Sequence, residues 1–219
     1  MPTKMTADPD QVKQVGTFLN LAFKDYLAAR VLINSGLVLQ GVILASTCIE
    51  KYFKAITSVR GTVLRGHLKA AHFRSLRNID PKLYNSLNES FLLLLQTLYQ
   101  LRYADTLEVG FSVSIADRPT LAELDYTVAI LERSLKFMVN GVELERRYAL
   151  AIKESDKNLY LNNYILNNID KQAFISQEEL VVYEIHFLTI DKIYEIEYLA
   201  IPSLHDGNFM REPRQRDEP

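Results

Sequence analysis

The residues best able to do chemistry lie in a basic stretch between Thr57 and Ile79. It contains no acidic residue, although the whole chain has a formal net charge of -2. Its basic and imidazole side chains are Arg60, Arg65, His67, Lys69, His72, Arg74 and Arg77. A surface of this kind attracts phosphates without reading bases. The stretch is therefore either a phosphate-binding surface or a solvated connection whose charges pair with acids elsewhere.

A second charged pair, Arg102 and Asp105, lies at the end of a leucine-rich stretch. The two residues are three positions apart, so they are neighbours on a helix surface. Asp105 continues the apolar stripe, and an inward carboxylate needs a partner because burying it alone is costly. Arg102 is the nearest partner. The pair is either a structural ion pair or a pair that faces a ligand.

Other catalytic or metal-binding patterns are absent from the sequence. It has no glycine-rich phosphate loop, no H-E-x-x-H, no G-x-S-x-G and no paired metal-ligand spacing, so we expect no cofactor and no metal. His186 is expected to be a packed or surface residue of a strand. Cys48, the one cysteine, is expected to be a small buried hydrophobe.

Two helices are predicted to organise the fold. Asp8 and Pro9 are the cap and first-turn pair of the first helix, and Gly36 follows its end. The second helix, over residues 37–56, comes after almost no linker, so the two should lie antiparallel. Apolar residues recur in both at steps of three and four, the period of one helix face. The pattern predicts a helical hairpin with one buried side.

Two further helices are predicted. Asp80 and Pro81 begin the third with the same cap chemistry, and the capping box of Thr120 and Glu123 begins the fourth. Residues 106–118 between them are predicted to be an extended loop. The inner stripes are Leu83, Leu87, Phe91, Leu94, Leu98 and Leu101 in the third helix, and Leu121, Leu124, Val128, Leu131, Leu135, Met138 and Val142 in the fourth. Additional leucines around the third helix, Leu92, Leu93 and Leu95, predict a homodimer interface.

The alternation of apolar and polar residues after Arg147 predicts strands. An antiparallel hairpin is predicted at residues 180–201, with its turn at Thr189 to Lys192. A lone hairpin is marginally stable in water, so it must pack on the helices or gain a third strand. Residues 204–219 are polar and are predicted to be a disordered tail.

These elements predict a mainly α fold: an antiparallel four- to five-helix up-down bundle over residues 8–146, with a small C-terminal β-hairpin or α+β appendage at 147–203. We expect no strand within the first 140 residues. The composition, 48% hydrophobic and 24% charged, excludes a wholly disordered chain. No apolar run reaches the ~18 residues of a membrane span, and the N-terminus has no apolar signal region, so we expect a cytoplasmic protein without membrane association.

Four short motifs lie within roughly residues 10–140: A-x-x-D-Y-x-x-A-R-x-L at residues 22–32, C-I-E-K-Y-F-K-A at 48–55, G-H at 66–67 and R-Y-A-D at 102–105. Together they resemble the HEPN domain family. The resemblance implies a dimeric bundle of antiparallel helices that binds nucleotides, often beside a nucleotidyltransferase or antitoxin partner, with metal-independent RNase activity in some branches. The family-motif residues of this chain are Asp25, Glu50, Lys51 and Lys54.

The RNase branches of that family carry R-x(4-6)-H near the start of the last long helix. No histidine follows Arg102 at that spacing, and the spacing occurs instead within the basic stretch, at Arg60 with His67 and Arg65 with His72. We therefore expect a non-catalytic protein that binds nucleotide or RNA phosphates. The alternatives are a metal-independent RNase toxin and a dimeric structural adaptor. The predicted ligand-binding residues are Arg60, Arg65, His67, Lys69, Arg102 and Asp105, and the catalytic candidates are His67, His72 and Arg102.

Overall fold

The computed structural model describes residues 9–62, 64–102, 109–135, 138–139, 142–143, 145–189 and 192–202. Within these residues the chain is mainly helical and has a small three-stranded antiparallel sheet near its C-terminal end. This confirms the predicted mainly α class with a small β-containing part. Asp8, Asp105 and the predicted disordered tail at 204–219 lie outside the described residues.

The first two helices form the predicted hairpin. Helix α1 spans Pro9–Asn34 and helix α2 spans Val38–Val59. Gly36 between them has a φ of +80°, a left-handed conformation that glycine adopts without steric cost. The two backbones approach closely at Gly41, where an added Cβ would lie 2.9 Å from the Ala29 carbonyl oxygen. The absence of a side chain at this position therefore sets the distance between the helices.

The basic stretch contains a helix that the sequence pattern did not predict. Helix α3 spans Ala70–Ile79 and buries His72, Phe73 and Leu76. It is followed by the helices α4 (Pro81–Asn85) and α5 (Glu89–Tyr99), and by a 3-10 turn at Gln100–Arg102. The prediction of one continuous third helix is therefore wrong.

Two side chains begin the two shorter helices. The Asp80 carboxylate accepts a hydrogen bond from the Leu83 N–H at 2.9 Å, as the cap prediction requires. The Asn88 side chain accepts one from the Phe91 N–H at 3.2 Å and begins α5. Both α4 and α5 direct their leucines to the same core. The apolar stripe predicted for one helix therefore continues across the break between the two.

The leucines outside that stripe pack largely within the chain. Leu92 and Leu95 are fully buried in α5, and Leu93 is exposed. At two of the three positions, the leucine that was predicted to lie in a homodimer interface is therefore covered by residues of its own chain. Of these three leucines, only Leu93 is exposed and able to contact a second copy of the chain.

The region after α5 corrects two predictions. Residues 112–116, predicted to be loop, form strand β1 (Ser112–Ala116), so the expectation of no strand before residue 140 is wrong. Helix α6 spans Asp117–Ser134 and begins three residues before the predicted capping box. It also ends well before Val142, and the short strands β2 (Met138–Val139) and β3 (Val142–Glu143) follow it.

The C-terminal part begins with short helices: α7 (Arg147–Lys153), where the alternation after Arg147 predicted strand, then α8 (Lys157–Tyr160) and α9 (Lys171–Ile175). Strands β4 (Leu180–Thr189) and β5 (Lys192–Ala200) then form the predicted antiparallel hairpin. Strand β1 pairs antiparallel with β4, which gives the order β1-β4-β5. The hairpin thus gains the third strand that its stability requires.

One cluster of buried apolar side chains runs from Val15 in α1 to Phe187 in β4 and so includes residues on both sides of residue 146. The predicted domain boundaries stay predictions. Among the described residues, no helix is both long enough and apolar enough to cross a membrane.

A buried polar network crosses this core. Arg30 of α1 forms a fully buried ion pair with Asp125 of α6, and the Tyr26 hydroxyl donates to the same carboxylate oxygen at 2.7 Å. Arg30 also donates to the carbonyl oxygens of Asn158 and Leu161. The guanidinium therefore holds α8 and the turn after it against α1.

Candidate functional site

The C-terminal half of α2 anchors the loop that follows it. Glu50 is buried, with 6% of its surface exposed, and Lys54 lies one turn later on the same helix face. The Lys54 ammonium donates to the Glu50 carboxylate at 2.6 Å and to the Gly66 carbonyl oxygen at 2.7 Å. Gly66 has a φ of +79°, which turns the chain at this point. Lys54 thereby fixes the loop of residues 64–69 against α2.

His67 follows directly and joins this loop to the end of α5. Its side chain is 58% exposed, and its Nδ1 lies 3.6 Å from a carboxylate oxygen of Glu50. The imidazole stacks on the Tyr99 ring, with 4.2 Å between the ring centroids and 25° between the planes. The loop, α2 and α5 therefore meet at one imidazole.

Arg102 contacts the same tyrosine. Its guanidinium carbon lies 5.3 Å from the Tyr99 ring centroid, a cation-π distance, and its Nη1 donates to the Tyr99 hydroxyl at 3.3 Å. Arg102 is exposed. Lys69 is exposed as well, and its ammonium lies 3.4 Å from the position that a Cβ on Gly66 would take. We refer to Glu50, Lys54, His67, Lys69, Tyr99 and Arg102 as the His67 cluster.

His72 lies behind this cluster on α3 and has a different character. Its side chain is completely buried, and neither ring nitrogen has a hydrogen-bond partner among the described residues. Burial lowers the pKa of His72 to about 4. The nearby Glu50 opposes this shift, and Lys54 and Lys69 add to it. His72 is therefore a neutral packing residue at neutral pH, and a substrate in solvent cannot reach it.

The remaining predicted residues lie in other positions. Lys51 and the Thr47 hydroxyl both donate to one carboxylate oxygen of Asp25, Thr47 at 2.7 Å, so this family-motif pair bridges α1 and α2. Arg60 and Arg65 are exposed near the end of α2 and in the following loop. Glu50 and Lys54 thus belong to the His67 cluster, whereas Asp25 and Lys51 form a separate contact.

The two most distal arginines of the basic stretch, Arg74 and Arg77, are exposed on α3. Arg77 stacks over the Tyr84 ring at 4.4 Å and forms an ion pair with Glu89 at 2.8 Å. Its charge is therefore matched by a carboxylate.

Sequence reasoning missed Tyr99 and Gly66. Tyr99 lies three residues before Arg102 on one helix surface, a spacing that could have indicated the contact. Its stacking on His67 joins residues 32 positions apart, and no local pattern reports that contact. Gly66 was named as part of the G-H motif at 66–67, and the role of its carbonyl oxygen as the acceptor that positions Lys54 was not predicted.

The arrangement is suited to anion binding. An exposed imidazole and an exposed guanidinium contact one aromatic ring, the exposed Lys69 ammonium lies beside Gly66 in the same loop, and the Glu50 carboxylate is matched by Lys54. Because Glu50 offsets the charge of Lys54, Lys69 and Arg102 give the exposed side of the cluster a positive charge.

No protein-family model, curated protein or solved structure matches the chain at a significant level. A function for this chain therefore rests on the geometry of its own residues.

Proposed function

We propose that the chain is a HEPN-type protein whose His67 cluster is non-catalytic and binds the phosphate groups of a nucleotide or an RNA. The observation that carries this proposal is the meeting of His67 and Arg102 on the Tyr99 ring. The basic loop and the end of α5 are distant in the sequence, and each supplies one exposed nitrogen-rich group to the same surface. A phosphate in front of Tyr99 would meet donors from both.

Charge matching favours a phosphate over a neutral ligand. Lys54 is held by Glu50, so these two charges offset each other inside the cluster. Lys69 and Arg102 then supply positive charge at the surface, and His67 adds an exposed imidazole. Guanidinium binds phosphate through parallel N–H donors, and the ammonium adds a point charge. The affinity of such a site depends on salt because binding releases counterions.

The position of the family-like residues supports the HEPN assignment. Glu50, Lys54, Gly66, His67 and Arg102 come from three separate motifs of the sequence, and all of them lie at this one cluster. The proposal includes the other properties that the resemblance implies, a homodimer and a nucleotidyltransferase or antitoxin partner.

The test is binding of a fluorescein-labelled single-stranded RNA and of a labelled nucleotide, followed by anisotropy at several salt concentrations. Arg102→Ala should weaken binding about tenfold, equivalent to ~1.4 kcal/mol. It should also reduce the slope of log K against log salt by about one. The matched control is Arg77→Ala, which removes an arginine that also stacks on a tyrosine but is paired with Glu89. Equal effects of both variants, or no binding of either probe at about 50 mM salt, would refute the proposal.

A second function, metal-independent RNA cleavage, is favoured by one specific distance. The exposed His67 imidazole lies 3.6 Å from the Glu50 carboxylate, which can orient the ring. His67 would remove the proton of a 2′-hydroxyl, whose oxygen bonds to phosphorus as the P–O5′ bond breaks, and the leaving 5′-oxygen takes that proton from His67. Arg102 would stabilise the charge that develops on the phosphate. Cleavage should then persist in a chelator, disappear in His67→Ala and survive in His72→Leu, because His72 is buried. Absence of cleavage by the wild-type chain removes this alternative.

A further inference from the structure

A chain of hydrogen-bonded side chains lies on one face of the sheet, outside the His67 cluster. The Ser112 Oγ is 2.6 Å from the His186 Nδ1, and the His186 Nε2 is 3.2 Å from a carboxylate oxygen of Glu184. The other oxygen of Glu184 accepts a hydrogen bond from the Tyr198 hydroxyl at 2.8 Å. A hydroxyl, an imidazole and a carboxylate in this order form the pattern of an activated nucleophile.

The strand register produces this arrangement. Ser112 of β1 lies directly opposite His186 of β4. The neighbouring pair, Phe111 and Phe187, carries a backbone hydrogen bond at 2.8 Å, so the 112/186 pair is of the non-hydrogen-bonded kind, in which side chains lie closest. Glu184 is two residues from His186 and so shares its face.

The carboxylate determines which nitrogen of His186 carries the proton. Glu184 is half-buried, and burial alone would raise its pKa. Hydrogen bonds from Tyr198, His186 and Ser114 exceed that effect, so that the pKa of Glu184 is below its usual value and the group is ionised at neutral pH. An ionised carboxylate accepts a hydrogen bond from Nε2–H. The Nδ1 is then the acceptor that faces the hydroxyl of Ser112.

We propose that Ser112 is the nucleophile of an acyl-transfer site for small carboxylic esters, with His186 as its general base and Glu184 as the positioning residue. The Ser112 oxygen forms a bond to the acyl carbon as its proton passes to the His186 Nδ1. The ester C–O bond then breaks, and the leaving alcohol takes that proton. Water repeats the two steps on the acyl-enzyme, which releases the carboxylic acid and restores the Ser112 hydroxyl.

Neighbouring groups indicate where a substrate would lie. At a non-hydrogen-bonded position the Ser112 N–H points away from β4, toward the outer edge of β1, where it can donate to the oxyanion that forms on the acyl group. Tyr194 and Ile196 of β5 lie opposite His186 and Glu184 on the same face and are 51% and 47% exposed. They offer an apolar surface beside the nucleophile, which favours an ester with an apolar acyl chain.

Labelling with diisopropyl fluorophosphate tests the nucleophile directly. The serine oxygen attacks phosphorus and fluoride leaves, which adds a fixed mass to one peptide. We expect the label on Ser112 of the full chain and none in Ser112→Ala. Ser176, an exposed serine at the end of α9, is the matched control and should stay unlabelled. Absence of label on Ser112, or equal labelling of Ser176, would overturn the proposal.

Hydrolysis of 4-nitrophenyl acetate separates the roles. Ser112→Ala should lose at least about 90% of the rate, and Ser176→Ala should keep it. Glu184→Gln should lower kcat about tenfold and leave KM unchanged, because the neutral amide orients the imidazole less well and does not contact the substrate. A Ser112→Ala variant that keeps the wild-type rate and the wild-type thermal midpoint would show simple hydrolysis by His186 and refute the serine mechanism.

Discussion

Buried His72 should make the stability of the protein depend on pH in a way that one substitution removes. The ordinary pKa of histidine is 6.5, and burial lowers that of His72 to about 4 in the folded chain. Between these values the unfolded chain binds a proton that the folded chain excludes. Stability is therefore complete above pH ~6.5 and is lost progressively as the pH falls towards ~4.

The size of this loss of stability follows from the pKa values of His72 in the unfolded and in the folded chain. A tenfold difference in proton affinity between the two states corresponds to about 1.4 kcal/mol, so the full loss of stability is about 3 kcal/mol. At pH 5 the loss from His72 has reached about 2 kcal/mol. In a protein of this kind, with a free energy of unfolding of ~5–15 kcal/mol, such a loss is readily measured.

The assay is urea unfolding followed by the helical circular dichroism signal, at pH 7.5 and pH 5. In His72→Leu the difference between the two pH values should shrink by about 2 kcal/mol relative to the wild type. Phe73→Leu, a change at the adjacent buried position, alters packing without removing a titrating group. It should destabilise the protein at both pH values and keep the pH dependence of the wild type.

Equal pH dependence in the wild type and His72→Leu would refute the reasoning. It would mean that the imidazole is hydrated or paired in solution and that α3 does not seal it from water. Burial is also what keeps His72 neutral beside Lys54 and Lys69. The conclusion that His72 is a neutral packing residue would then be wrong.

Three further changes test the packing. Asp125→Ala leaves buried Arg30 without its carboxylate and should lower the free energy of unfolding, measured in urea, by ~3–5 kcal/mol. The double variant Arg30→Met with Asp125→Leu should lower it by less than this single change. An Asp125→Ala variant as stable as the wild type would show that the ion pair is not essential. Gly41→Ala should lower the free energy of unfolding by ~1–3 kcal/mol because its Cβ would clash with α1. Gly16→Ala has open space around it and should raise the free energy of unfolding by ~0.5–1 kcal/mol. A change of the same sign in both variants would contradict the close approach of α1 and α2 at Gly41. Asp80→Ala should cost about 1 kcal/mol through the lost cap of α4, and an unchanged thermal midpoint would argue against that cap.

The helical hairpin was predictable because its information is local. Residues of α1 and α2 show the 3.6-residue period without interruption, and Gly36 marks the turn between them. The same period could not reveal the break at residues 86–88, because the helices on both sides of it present leucines to one core. The asparagine at 88, a good N-cap residue, was the available signal.

Helix α3 was missed because its buried residues include a histidine. His72, Phe73 and Leu76 form its inner face. Because the basic stretch around them also carries five arginine and lysine residues, its sequence pattern is typical of a solvated loop. The start of α6 was misplaced for a related reason. The side chain of Glu123 pairs with Lys171 of α9 instead of capping the helix, and Thr120 is buried within it. In each case a contact from another part of the chain decides the role of a polar residue.

Both sites depend on pairings that sequence spacing cannot supply. His67 and Arg102 were each identified from the sequence, but their relation depends on Tyr99, which stacks with one and bonds to the other. Ser112 and His186 are 74 residues apart and meet because β1 joins the hairpin as its third strand. A lone strand histidine therefore acquires a chemical partner only through the sheet register. Residue types with strong chemistry can be found in a sequence, whereas the geometry that makes them act together belongs to the fold.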